Sequence, residues 1–199
     1  MKKVITMLVL GVTILSTVML GGCGKSDPTI SKSETPYSVV EKLSADGQYK
    51  VINYLTEQSN DVAKIKETVE GYVKAYTTAD YKTTDGMGTY GYYDETILQE
   101  FKKKNDATES VKFYKDNALV TEFDSYKIDS IKITKDMNLA EIKGSLVYKY
   151  TEGTEEFFKQ YDKQKGASYK QDFTLQLTKQ NDVWKISFRK ITAATPASK

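Results

Sequence analysis

Ala140-Glu141-Ile142-Lys143-Gly144-Ser145-Leu146-Val147-Tyr148-Lys149-Tyr150 alternates small or apolar residues with mostly polar ones. A period of two marks a strand with one buried face and one wet face. The same alternation continues on either side. Ile131 and Ile133 precede the turn Lys135-Asp136-Met137-Asn138, Phe173, Leu175 and Leu177 run up to Gln180-Asn181-Asp182, and Trp184, Ile186 and Phe188 follow. Together these stretches predict long antiparallel strands joined by short polar turns. Their inner faces, Ala140 to Tyr150, Phe173 to Leu177 and Trp184 to Phe188, carry no carboxylate. Glu152 to Ser168 interrupts the strands with charged residues and Phe157, Phe158 and Tyr161, and it reads as a hairpin extension or a short amphipathic helix.

Before Asp124 the period is that of a helix. Val62, Ile65, Val69, Tyr72, Val73 and Tyr76 recur at three- and four-residue intervals, with Asn60 or Asp61 placed to cap them. Asp94 to Phe101 is acidic at its start and is followed by Lys102, Lys103 and Lys104, the polarity a helix dipole favours. Asp106 and Glu109 have capping-box spacing ahead of a third helix through Val111, Tyr114 and Ala118. Helices followed by a meander of strands predict one α+β domain over residues 60–199. Residues 36–59, with Tyr37, Val40, Leu43, Val51, Ile52 and Leu55, form an N-terminal extension read as one interrupted helix or two short ones around Asp46-Gly47.

Residues 24–35 are polar with one isoleucine and read as a flexible tether. Ahead of them, Lys2 and Lys3 precede an apolar run from Val4 to Leu20, the order of an export signal. The run ends in Leu20-Gly21-Gly22-Cys23, which resembles the bacterial lipobox. That resemblance implies cleavage between Gly22 and Cys23, a lipid on the Cys23 thiol, and a chain tethered to the outer face of a cell membrane. Residues 1–22 are then the signal peptide, and residues 23–35 the lipidated cysteine with its tether. Cys23 is the only cysteine, so no disulfide forms within the chain and no thiol is left for catalysis.

Composition narrows the function further. The chain has 29 basic and 27 acidic residues, and without Lys2 and Lys3 the two are equal, which gives no pull toward nucleic acid. Arg189 is the sole arginine, and there is no histidine. The acids show no metal-binding spacing, and no cofactor is expected. Gly86-Met87-Gly88-Thr89-Tyr90-Gly91 has the spacing G-x-G-x-x-G, but no buried parallel strand precedes it as a dinucleotide site requires. It reads as a loop in which Tyr90, Tyr92 and Tyr93 cover part of the core.

The order of three helices and then a sheet, with Tyr76-Thr77-Thr78-Ala79-Asp80-Tyr81 closing the first helix and Asp182-Val183-Trp184-Lys185-Ile186 opening the last strand, resembles the NTF2-like (cystatin-like, SnoaL-like) superfamily over residues 60–191. The resemblance implies N-terminal helices packed in a curved antiparallel β-sheet. This makes a cone that is an open pocket in some members and filled in others. Isomerases and cyclases of this kind place an acid or histidine base in the cone beside a polarising Tyr or Asp. The residues nearest such a pocket are Tyr76, Asp80, Tyr148, Asp172 and Trp184, with Asp85 close by. Each also has an ordinary packing or turn role.

The expected function is therefore non-enzymatic: a lipid-anchored domain that binds or scaffolds a surface protein, a cell-wall component or a small apolar ligand. A more distant resemblance, to the VirB8 component of type IV secretion, implies a scaffold in a Gram-positive conjugation system. An isomerase or cyclase using Asp80 or Asp172 is the enzymatic alternative.

Overall fold

The computed structural model describes residues 35–44 and 47–197. Gly22, Cys23 and the signal peptide lie outside them. The elements run β1 (Tyr37–Val40), β2 (Val51–Tyr54), α1 (Asn60–Thr77), β3 (Ala79–Asp80), α2 (Glu95–Lys103), α3 (Asp106–Asp116), β4 (Val120–Thr134), β5 (Leu139–Glu152), α4 (Glu155–Gln160), β6 (Ser168–Gln180), β7 (Val183–Ile191) and β8 (Thr195–Pro196), with a single 3-10 turn at Tyr90–Tyr92. The α+β class is as expected, and the long strands follow the three main helices, but two strands precede α1.

One sheet runs β2-β1-β4-β5-β6-β7, with β3 beside β4 and β8 beside β6. The long strands are antiparallel neighbours. β1 joins the edge of β4 in parallel, which makes the sheet mixed. α1 packs against both β4 and β7, although β5 and β6 lie between those strands. A flat sheet could not reach both sides of one helix, so the sheet wraps it, helped by irregularities in the β4–β5 register that bend the strands. Val62, Ile65, Val69, Tyr72 and Val73 form the buried stripe of α1, facing Ile131, Ile133, Ile142, Leu146, Leu175, Leu177 and Trp184.

The N-terminal extension departs from expectation. Residues 36–59 were read as helical, yet they form the β1–β2 hairpin, and β1 hydrogen-bonds along Ile131–Thr134 of β4. Val39 and Val40 are β-branched and suit a strand, and the apolar spacing over these residues is too short to decide between periods. The domain thus begins at Thr35 rather than at residue 60. The hairpin also brings Tyr49 over the face of the sheet opposite the core. There its hydroxyl donates to Glu141 Oε1 at 2.5 Å, Lys143 Nζ sits 3.4 Å from the same oxygen, and the Lys132 ammonium lies 4.4 Å from the centre of the Tyr49 ring. Glu141, on the face read as wet, is 7% exposed.

The helix ends differ in how they are capped. Asp94 caps α2 through a hydrogen bond accepted from the Ile97 amide at 3.0 Å. α3 instead starts after Asn105 in the left-handed region, with no side-chain cap, so the Asp106–Glu109 capping box is not formed. Ser59 precedes α1, and Asp61, read as a possible cap, is used elsewhere. Its Oδ1 accepts from Trp184 Nε1 at 2.9 Å and lies 2.8 Å from Lys179 Nζ, which ties the start of α1 to the β6–β7 hairpin. Residues 152–168 take the helical alternative, with Thr154 capping α4 and Phe157 buried.

Candidate functional site

Tyr72 and Tyr76 are four residues apart on α1, so their rings project to the same side of the helix, with centroids 5.8 Å apart. The loop after α1 brings three more tyrosines to them. Tyr92 lies against Gly71, where an added Cβ would come within 2.6 Å of its hydroxyl, so a side chain at position 71 would displace that ring. Tyr93 meets Tyr72 edge to face at 5.6 Å and donates its hydroxyl to that of Tyr72 at 3.2 Å. Tyr90 packs on Phe101 of α2. The G-x-G-x-x-G stretch is therefore part of a tyrosine cover. Of its glycines, Gly86 is the one the backbone demands, with φ +73° and a Cβ position 2.3 Å from the Ala107 carbonyl oxygen.

The other wall comes from β7, which does not keep its alternation. Leu177 pairs with Ile186 and Gln176 with Phe188, so Ser187 is an extra residue, a bulge whose hydroxyl bonds the Gln176 carbonyl at 3.2 Å. Beyond the bulge the faces exchange. Arg189 pairs with core-facing Leu175 and turns inward, while Phe188, read as an inner residue, pairs with Gln176 on the opposite face. The Arg189 guanidinium carbon lies 5.1 Å from the Phe101 ring centre, 5.6 Å from Tyr93 and 6.0 Å from Tyr76. Strict period-two reading could not find this residue, because nothing in Ser187-Phe188-Arg189 announces a bulge.

Further along the interior, Tyr148 and Tyr150 touch through their hydroxyls at 3.2 Å, and Tyr150 packs on Phe157 at 5.1 Å and on Tyr169 at 5.8 Å. Burial, with the neighbouring tyrosines adding to it, pushes the Tyr72, Tyr76 and Tyr148 hydroxyls well above the ordinary tyrosine range. A phenol whose folded pKa is raised stabilises the fold below its unfolded value of about 10, and that stability is lost as the pH climbs toward the folded values. Alkaline titration followed at 295 nm should therefore show exposed tyrosines ionising first and the interior ones only in a cooperative step that coincides with unfolding. Smooth ionisation of all tyrosines in a still-folded protein would contradict the packing.

The three candidate acids make contacts of other kinds. Asp80 lies in β3, and its Oδ1 accepts from the Lys82 amide at 2.8 Å in a turn. Asp85 does the same for the Met87 amide at 2.8 Å. Asp172 is exposed, with its carboxylate 3.2 Å from Lys170 Nζ. In these contacts none of the three meets a tyrosine hydroxyl. Trp184 is 1% exposed and anchors the opposite end of α1 rather than lining a pocket with Tyr76. Of the proposed pocket group, Tyr76 and Tyr148 face the interior, and Arg189 is the ionised residue that sequence reading missed. Among the described residues no cluster of acids is arranged to hold a metal, and no helix is long and apolar enough to cross a membrane. A concavity of about 1240 Å³ is an open groove lined by residues such as Lys64, Glu67, Gly71 and Lys185.

No family model matches the chain, and a comparison with curated proteins finds no match. Several solved structures are similar at low identity, among them the following three. The intermembrane-space region of the chloroplast protein ARC6 is 12% identical, covers 66% of this chain and 95% of its own, and has a TM-score of 0.42. An NTF2-like protein of unknown function from Shewanella oneidensis MR-1 is 17% identical, with coverages of 65% and 96% and a TM-score of 0.34. An IcmL-like type IV secretion system protein from Legionella pneumophila is 15% identical, with coverages of 69% and 94% and a TM-score of 0.41.

Proposed function

We propose that this chain is a non-enzymatic binding or scaffolding domain held by lipid on Cys23 at the outer face of a membrane. The observation that carries the binding half is the exchange of faces at Ser187. The ionised side chain turned toward the aromatic interior is a guanidinium, while Asp80, Asp85 and Asp172 are engaged in turns or in a surface ion pair. A guanidinium stays protonated, so it can hold a negative charge but cannot take a proton from a substrate. An isomerase or cyclase needs a positioned base, and the two acids that could have served are engaged in a turn and in a surface ion pair. A scaffold in a conjugative secretion assembly is a finer form of the same reading, and it follows from the sequence resemblance alone.

The anchoring half rests on Leu20-Gly21-Gly22-Cys23. Cells fed a labelled fatty acid should incorporate it into the wild-type chain and not into Cys23→Ala, which should remain an unprocessed precursor. Equal labelling of both, or none in the wild type, overturns the lipid anchor.

A further inference from the structure

We propose that Arg189 anchors a binding site for an organic carboxylate, a single negative charge carried on an apolar or aromatic body. This rests on the binding reading above and names the class of ligand for its inward-facing residue.

The first support is how the guanidinium is held. Phe101, Tyr93 and Tyr76 surround its carbon at 5.1, 5.6 and 6.0 Å. Aromatic rings attract a cation through their faces, but they accept few of the five N–H bonds that lie in the guanidinium plane. The second support is what Arg189 lacks. Every ion pair among the described residues is made by a lysine, so no carboxylate neutralises this cation. The Tyr72 hydroxyl accepts one hydrogen bond from the guanidinium, and no carboxylate takes the others. A half-buried cation without a counter-charge is costly, and the edge of the planar fork that Tyr72 does not engage fits a carboxylate.

The third support is the bulge itself. Strands keep their alternation unless something interrupts it, and bulges re-aim single side chains. Here the interruption replaces Phe188 with Arg189 on the inner face, a change that packing alone does not favour. The ligand class follows from the surroundings. Arg189 is the one cation set over Tyr76, Tyr93 and Phe101 among the described residues, which matches one negative charge rather than the two of a phosphate. The rings around it favour an apolar or aromatic body on that charge. The Tyr72 hydroxyl, which accepts from Tyr93 at 3.2 Å and from the guanidinium, holds the fork in place.

Because Arg189 is the sole arginine, the guanidinium Nε–H gives a single resonance in the nitrogen–proton correlation spectrum of the labelled full chain. Phenylacetate should shift that resonance saturably, while the neutral isostere phenylacetamide should leave it in place. Inorganic phosphate should bind weaker by roughly tenfold or more. Arg189→Lys, followed at the Tyr93 amide, should weaken phenylacetate by a similar factor, because a point charge cannot replace the fork. A resonance unmoved by tens of millimolar phenylacetate, or moved equally by the amide, overturns the site. Phosphate binding as tight as phenylacetate overturns the carboxylate assignment. The wild-type titrations decide these points whether or not the lysine variant folds, and they leave the binding reading itself to the complementation experiment that closes the Discussion.

Discussion

Trp184→Ala is expected to lower the free energy of unfolding by about 3–5 kcal/mol, the range for emptying a packed aromatic site. The ring is 1% exposed and sits where the sheet meets the start of α1. Its loss opens a cavity, strips the Asp61 carboxylate of the Nε1–H donor at 2.9 Å, and removes the ring face beneath the Lys179 ammonium at 5.7 Å. The expected result is a large fall in the urea midpoint by far-ultraviolet circular dichroism. The native protein should correspondingly emit as a buried indole. A change under about 1 kcal/mol would mean that Trp184 is not the link between helix and sheet.

Asp61→Ala should cost about 2 kcal/mol, because it removes a charged acceptor shared by the Trp184 indole N–H and the Lys179 ammonium. The side chains of Asp61 and Lys179 are 13% and 19% exposed at 2.8 Å. Asp182 also reaches Lys179, at 3.2 Å, but its carboxylate is 65% exposed and screened, so it replaces little of the lost interaction. Asp61→Asn should cost less, since the amide oxygen still accepts from the indole. Combining Asp61→Ala with Trp184→Phe, which keeps a ring and drops the donor, should give a coupling energy of about 1–2 kcal/mol in a double-mutant cycle. Strictly additive effects would show that the two side chains do not act together.

The strands and helices were legible because each buries one continuous face against a single core. Period two in Ala140 to Tyr150 and the three-four spacing from Val62 to Tyr76 both survive into the fold. What stayed hidden depends on partners distant in sequence. Asp61 looked like a helix cap because its neighbours in sequence suggested nothing else, whereas its partners lie 118 and 123 residues away. Glu141 looked solvated because alternation puts it outside, and only the β1–β2 hairpin, itself read as helical, brings Tyr49 over it. Arg189 was hidden by a single inserted residue, because one bulge moves every later side chain to the other face. The candidate site was half visible: Tyr76 and Tyr148 were read as interior and are, whereas the contacts of Asp80 and Asp172 are with a turn amide and a surface lysine.

Whether the domain binds or catalyses is tested most directly by complementation of a strain lacking this gene with a chain carrying both Asp80→Asn and Asp172→Asn. If the domain works by binding, the double variant restores any measurable defect of that strain as fully as the wild type, because one carboxylate is engaged in a turn and the other in a surface ion pair. A double variant that is folded and correctly located, yet fails to complement, would contradict the binding reading and return acid–base chemistry to these two residues.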